Sequence, residues 1–455
     1  MSQHRVFSFR SSEKLLAKAM KLDIAIPFQK DLHPLFEDIH LASKKLSNRL
    51  AVQPMEGCDA NADGSPSDLT LRRYKRFVRG GSALIWFEAT SVAPDGRSNP
   101  RQLWLHRKSV PGFIKLVEET REEAVRSLGA GHDIYCVLQL THSGRYSRPE
   151  GEPRPKVAVI NPFLDDQRKN LQVFSDEELD RLREDFVDAA VLAERAGFDA
   201  VDIKACHGYV INELLGAFQR QNSKYGGSFE NRVRFLKEIV VEIHREVSRI
   251  GLAVRMSVHD GMPFPYGFGS PEDGAPVVDL KEPKRVMASL IEENCSLFNI
   301  TAGVPSIFPH LGRPFDRPVR GAPIPPEHPL EGVFRLIRMT AEMQNEFPDV
   351  PLVGSGYSWL RQYFPYVGAA VLQNREAAFI GLGRSAFAYP DAPNDLQNKG
   401  MLDPKKVCVS CSRCTEMMRM GGNAGCVMRD KEIYGKKYRV LLKERIRDEK
   451  KLDRR

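Results

Sequence analysis

Ala200–Glu230 reads AVDIKACHGYVINELLGAFQRQNSKYGGSFE. A short apolar run, Ala200, Val201 and Ile203, gives way at once to Lys204, Cys206, His207 and Tyr209. A loop rich in Gly, Ser and Asn follows at Asn222–Ser228, with Gly226 and Gly227 adjacent. A strand with functional side chains just past its C-terminal end is how α/β barrels place a site. If the chain curls into a helical turn there, Lys204, His207 and Tyr209 point into one cavity. Taken alone, the stretch reads equally well as a structural one, with His207 and Tyr209 as partly buried packing residues. The rest of the chain separates these readings.

Outward from this run, similar apolar stretches recur at Arg49–Gln53, Ala83–Ala89, Asp133–Leu140, Ala200–Ala205, Leu252–Ser257, Leu297–Thr301, Val350–Gly354 and Ala377–Gly383. Between most of them lie segments of helical period. Ser175–Ala196 opens with Ser175 and Glu178, a capping-box spacing, and closes at Gly197. Phe229–Val247 and Glu282–Asn294 repeat the pattern. Eight strands alternating with helices over roughly 350 residues predict a (β/α)8 TIM barrel, an α/β fold, rather than an open sheet. No G-x-G-x-x-G follows a strand, which argues against a dinucleotide-binding Rossmann fold. Long loops at Glu56–Ser67, Thr141–Asn170, His259–Lys281 and Gly303–Gly332 are expected to wall the site. The expected organisation is a wrapping segment at 1–45, the barrel at 46–395, and a Cys-rich segment with a helical, basic tail at 396–455.

The 455 residues are 42% apolar and 28% charged, an ordinary composition for a soluble globular chain. No apolar run reaches the roughly 18–20 residues of a membrane span, and the N-terminus has no signal-peptide core. An intracellular, cytoplasmic location is expected. Of the net charge of +8, a surplus of six lies in residues 429–455, with twelve Lys/Arg against six Asp/Glu. Both signs are interspersed there, so a solvated helix is expected rather than a nucleic-acid surface.

Cys58, Cys136, Cys206 and Cys295 are scattered, whereas Cys408, Cys411, Cys414 and Cys426 cluster as C-x2-C-x2-C-x11-C. In an intracellular chain such a cluster reads as a metal or iron–sulfur site before disulfides. Zinc ribbons usually pair two C-x2-C units, whereas three cysteines here crowd into seven residues, a spacing suited to an iron–sulfur cluster; zinc stays the alternative. Cys206, beside Lys204, is either a thiol of lowered pKa or a small residue packed under the site.

Two glycine motifs end the seventh and eighth strands: Gly354-Ser355-Gly356 and Gly383-Arg384. Freed backbone amides, a helix start and an arginine form a phosphate cradle, and barrels build one at these two strands. Arg255 ends the fifth strand. There it either balances a group that gains negative charge, such as the N1–C2=O of a flavin on reduction, or pairs with an acidic loop residue. Gln139, at the end of the third strand, could read a flavin's pyrimidine edge.

Together these motifs resemble the old yellow enzyme family of FMN-dependent ene-reductases. NRLAVQPM (Asn48–Met55), FEATSVAPDGRSNPRQ (Phe87–Gln102), LQLTHSGRYS, HGYVINELL with RQNSKYGGSFENRVRF, VRMS, GSG and GLGR occur in the family's order. The match covers about Leu46 to Asp391. The cysteine spacing resembles the [4Fe-4S] motif of the long subfamily that includes 2,4-dienoyl-CoA reductase, 2-enoate reductase and trimethylamine dehydrogenase.

The resemblance implies FMN across the barrel mouth. It assigns Pro54, Met55, Ala89, Gln139 and Arg255 to the isoalloxazine, and Gly354, Ser355, Gly356, Gly383 and Arg384 to the phosphate side. It makes Tyr209 the proton donor, with Lys204 and His207 binding the substrate carbonyl, and Cys408, Cys411, Cys414 and Cys426 the ligands of a [4Fe-4S] cluster. The implied reaction is hydride to the β-carbon of an activated C=C bond and a proton to its α-carbon. Alternatives are an amine dehydrogenase or demethylase and an electron-relay subunit. Lys204 stands where the family more often has His or Asn, which suggests a carboxylate or an acidic enolate as substrate. Glu56 stands where the family often has Thr, Cys or His. The long relatives carry further FAD- and NAD-binding domains, and this sequence stops about 30 residues past Cys426. Electrons are thus expected from NAD(P)H directly or from a reduced electron-transfer protein through the cluster. The expected partners are a small unsaturated molecule, a donor protein and a second copy of the chain, with neither nucleic acid nor membrane.

Overall fold

The computed structural model describes residues 3–165, 171–275 and 277–452. The far end of the expected loop Thr141–Asn170 and one position of His259–Lys281 lie outside the described residues. Eight parallel strands close a barrel. They are β1 (Leu50–Val52), β2 (Leu84–Ser91), β3 (Tyr135–Thr141), β4 (Ala200–Ile203), β5 (Gly251–Ser257), β6 (Leu297–Thr301), β7 (Leu352–Gly354) and β8 (Phe379–Leu382). Closure comes from β8 pairing with β1, Ile380 opposite Leu50 and Leu382 opposite Val52. Each strand falls on one of the eight predicted runs. They read as continuous apolar stretches because a parallel sheet covered by helices is buried on both faces.

A helix packs outside each strand. Asp176–Arg195 shows why: Leu179, Leu182, Phe186, Ala189, Ala190 and Ala193 make one buried stripe. Its capping box forms as the sequence predicts, with Ser175 Oγ accepting from the Glu178 amide and the Glu178 carboxylate accepting from the Ser175 amide. Phe229–Glu246 matches its expected span within a residue. The helix expected at Glu282–Asn294 ends at Ile291. There Asn294 turns left-handed (φ 65°) and the Cys295 amide returns to the Leu290 carbonyl, which stops the helix early.

Ala51, Leu84, Trp86, Val137, Ala200, Ala253, Leu297, Val353 and Phe379 fill the barrel. Leu41 and Leu46 join them from an antiparallel hairpin, Ile39–Leu41 with Lys44–Leu46. The N-terminal segment therefore contributes to the barrel's interior core as well as wrapping the outside, where helix Ser12–Lys21 buries Leu15 and Ala19.

Beyond β8 come the short helices Arg384–Ala388 and Ala392–Lys399, the cysteine segment, helix Arg413–Arg419 and helix Lys436–Leu452. Met417, Val427, Tyr434 and Tyr438 form a small satellite core. This segment lies against the loop that follows β1. The Ala424 amide donates to the Gly57 carbonyl (2.6 Å) and Asn423 Nδ2 to the Cys58 carbonyl (2.8 Å). Arg72 and Arg76, on helix Asp68–Arg79, both donate to Asp430. Lys436, Lys437, Arg439 and Lys443 are exposed, as expected of a solvated tail helix.

Candidate functional site

All the residues singled out on the barrel stand at or just beyond the C-terminal ends of its strands. Past β4, Lys204 is buried. Its ammonium lies 3.4 Å from the centroid of the Tyr209 ring and 3.9 Å from Glu56 Oε1. The Tyr209 hydroxyl donates to the same Glu56 oxygen at 3.2 Å. Glu56 Oε2 accepts from Ser98 Oγ at 3.0 Å. Burial, then the neighbouring Glu56 carboxylate, pushes the Tyr209 phenol well above its ordinary range. Burial draws the Lys204 ammonium down, against the pull of Glu56. The sequence reading left Lys204 free to attract a substrate carboxylate. Instead its charge is already faced by Glu56, so it is not an unpaired anion receptor.

His207 has a left-handed backbone (φ 67°). Its amide donates to Ser257 Oγ at 3.2 Å, at the end of β5, and its Nε2 lies 3.4 Å from Thr301 Oγ1 at the end of β6. Burial, with Arg255, Lys204 and Arg313 nearby, holds the ring well below the usual histidine range, so it is neutral at pH 7. Cys206 is fully buried and its thiol is pushed up to about 11 by burial. The packed reading of Cys206 holds, not the reactive one.

Gln139 and Arg255 meet through a residue the sequence analysis passed over. Asp202, in β4, accepts from Gln139 Nε2 (2.6 Å), Trp86 Nε1 (2.7 Å) and the Arg255 amide (2.5 Å). Burial lifts its carboxyl to about 6. Gln139 thus spends one N–H inside the barrel. The Arg255 guanidinium is buried and its Nε has no partner among the described residues. Ala89 lies within the shift of the β2–β3 register, a bulge between Phe87 and Thr90. Glu88 there is buried and ion-paired with Arg73, which also holds Asp59. A second overlooked residue, Gln53, crosses the barrel from β1. Its Nε2 reaches Ser355 Oγ (3.3 Å) and its Oε1 accepts from Asn299 (2.9 Å). A carboxylate inside an apolar strand (Asp202) and an amide ending one (Gln53) are the signals that could have found both.

The turns after β7 and β8 stand side by side. The Ser385 amide donates to Ser358 Oγ at 3.2 Å. Ser355 Oγ donates to the Ile300 carbonyl at 2.7 Å. Gly356 has φ +98°, and a Cβ there would stand 2.6 Å from Leu336, so only glycine fits the turn. A Cβ on Gly383 would lie 3.2 Å from Met55 Sδ, which brings the residues after Pro54 to this rim. Arg384 is buried; its Nη2 donates to the Pro314 carbonyl at 2.6 Å and its Nη1 has no partner among the described residues.

Arg384 also lines a small pocket with Cys408, Cys411, Cys414 and Cys426. All four cysteines are free thiols. Ser410 and Ser412, between them, have left-handed backbones, and the Ser410 amide points at Cys408 Sγ (3.4 Å). Among the described residues no three His, Cys, Asp or Glu side chains converge closely enough to hold a single ion.

A parallel eight-stranded barrel with functional side chains at the C-terminal ends of its strands is a (β/α)8 barrel. Residues 34–283 match the NADH:flavin oxidoreductase / NADH oxidase family, and the chain belongs to it. The chain is 29% identical to an NADH oxidase of Thermoanaerobacter brockii over 385 residues, covering 83% of this chain and 52% of that one. It is 35% identical to an NADPH dehydrogenase of Clostridium acetobutylicum over 216 residues, covering 47% and 60%. The chain thus spans just over half to three-fifths of these relatives' lengths. In fold it is similar to a 2-naphthoyl-CoA reductase (TM-score 0.70, 18% identity), covering 90% of this chain and 58% of that one. No helix among the described residues is long and apolar enough to cross a membrane.

Proposed function

We propose that this protein reduces an activated C=C bond, in an enone, enoate or enoyl-thioester, with FMN across the barrel mouth. The observation that carries this is the contact of Tyr209 with Lys204 and Glu56 past β4, beside a neutral His207. The residues present fit the cofactor. Arg384 Nη1 and Arg255 Nε are buried donors without partners among the described residues, a costly state that a phosphate and a flavin edge would relieve. Pro54, Met55, Ala89, Gln139 and Arg255 would hold the ring, and Gly354, Ser355, Gly356, Gly383 and Arg384 the phosphate. Bound FMN supplies the hydride. Tyr209 keeps its proton at neutral pH, because burial and Glu56 disfavour the phenolate, and offers it to the α-carbon. His207, neutral, can hydrogen-bond the substrate carbonyl without adding charge. Lys204 steadies Tyr209 from the face of its ring and supplies positive potential where the enolate forms.

Cys408, Cys411, Cys414 and Cys426 would hold a [4Fe-4S] cluster. Three of them crowd into seven residues, a spacing that suits an iron–sulfur cluster better than paired zinc-ribbon units. Arg384 borders both their pocket and the phosphate turn, so the cluster would sit beside the flavin site. Electrons would come from NAD(P)H or a reduced electron-transfer protein. Eight free cysteines suit a reducing, cytoplasmic setting.

The test is reoxidation of photoreduced protein by a panel of enones, enoates and enoyl-thioesters. Tyr209→Phe should still be photoreduced but reoxidise roughly 10²–10⁴-fold more slowly. Equal rates in parent and variant would make Tyr209 structural, and reoxidation by none of the panel would sink the C=C reading.

A further inference from the structure

We propose that Glu56 is the positioning residue that reloads Tyr209 with a proton, with Lys204 holding the carboxylate in place. This rests on the reading of Tyr209 as proton donor. Glu56 comes from the loop after β1, 153 positions from Tyr209, yet one of its oxygens accepts the Tyr209 hydroxyl at 3.2 Å. The same oxygen faces the Lys204 ammonium at 3.9 Å. Its other oxygen accepts from Ser98 Oγ at 3.0 Å, and Ser98 is partly exposed. The contacts thus run from the phenol through a carboxylate to the hydroxyl of a partly exposed serine.

The chemistry follows from charge. When the Tyr209 O–H bond breaks and its proton joins the substrate α-carbon, the phenolate is left beside a carboxylate. Two anions in one buried contact disfavour each other. Glu56 relieves this by taking a proton from water, by way of Ser98, and passing it on. The carboxyl group turns to bring the new O–H, formed on the oxygen that faces Ser98, towards Tyr209; that O–H bond then breaks, the Tyr209 O–H bond re-forms, and the carboxylate returns to its place beside Lys204. Each turnover consumes one proton from water, and no electrons move in the relay. The other groups facing Glu56 do not compete for the role. Cys58, in its own loop, is a thiol that burial keeps protonated, and Asp59 is bound to Arg73. Glu88, from β2, is also bound to Arg73. Cys206 is a buried, protonated thiol, and Arg255, from β5, adds positive charge. Tyr146 packs on the Tyr209 ring at 5.7 Å and bonds Ser306.

The experiment compares FMN-loaded parent, Glu56→Gln, Glu56→Asp and Tyr209→Phe. Stopped-flow mixing of photoreduced protein with an enone reads the first turnover. Reduced methyl viologen then drives later ones. In Glu56→Gln the later turnovers should slow at least tenfold more than the first at pH 8, less at pH 6, and recover with added imidazolium buffer. Glu56→Asp should keep most of the parent's behaviour. Independently of turnover, ultraviolet difference titration should show the Tyr209 phenol ionising at lower pH in Glu56→Gln, a signal absent once Tyr209→Phe is added. If Glu56→Gln loses FMN, this titration decides alone. First and later turnovers slowed equally at every pH, or an unshifted phenol titration, would overturn the relay. If Tyr209→Phe itself leaves the first turnover at the parent rate, the proposed function fails instead.

Discussion

The two sides of the barrel mouth are finished differently. On the β1–β5 side most of the polar groups answer one another: Tyr209 and Lys204 meet Glu56, and Gln139, Trp86 and the Arg255 amide meet Asp202, while the Arg255 Nε has no partner among the described residues. On the β7–β8 side, the turns are glycine and serine, and the Arg384 guanidinium keeps a buried nitrogen without a partner among the described residues. The first side is a set of groups preorganised before any ligand arrives, the arrangement that electrostatic catalysis requires. The second leaves a donor unsatisfied, which a protein tolerates where a ligand completes the set. On the proposed function, the first side would hold the flavin ring and the proton donor, and the second would anchor the phosphate.

The cysteine segment tests that division most sharply, because its cavity shares Arg384 with the anchoring side. Cys411→Ala should remove all bound iron and sulfide while FMN stays bound, since the flavin's expected contacts lie on the barrel. Metal and sulfide analysis with absorbance spectra checks it. Zinc without iron in the parent would end the cluster reading. Arg384→Ala should follow in size. Truncating a buried charged partner costs about 2–5 kcal/mol, roughly 30- to 4,000-fold in FMN dissociation constant. Fluorescence titration of the apoprotein reads it, and an unchanged constant would move the anchor elsewhere.

The smallest effect concerns Asp202, on the first side. Burial raises its folded pKa to about 6. A raised carboxyl favours the protonated fold, so its contribution is complete below its unfolded value and is lost as pH rises through 6. Between pH 4 and 7 the parent should lose about 2–3 kcal/mol relative to Asp202→Asn. Urea unfolding at pH 4, 5.5 and 7 measures this. Parallel curves would mean that Asp202 is ionised throughout, with its three donors outweighing its burial.

Much of the fold was legible in the chain order. Apolar runs mark strands because a barrel strand is buried on both faces. Ser175 with Glu178 marks a helix start because backbone amides there need acceptors. The end of helix Lys281–Ile291 was less legible, because it depends on Asn294 adopting a left-handed backbone, which the apolar period does not record. Lys204 shows the same limit in the site. Its type and position were clear, but its pairing with Glu56 was not.

By itself the sequence determined which residue types reach the C-terminal ends of the strands: Lys204, His207, Tyr209, Arg255, and the glycines of GSG and GLGR. Those are consequences of local period and turn chemistry, which short stretches carry. The tertiary structure alone decided which of them touch. Glu56 meets Tyr209, Gln53 meets Asn299, and the cysteine segment meets Gly57 and Cys58 only because β8 closes onto β1 and the loops fold over the rim. Such contacts join segments more than 150 positions apart, and barrel closure and burial, rather than any local pattern, bring those segments together.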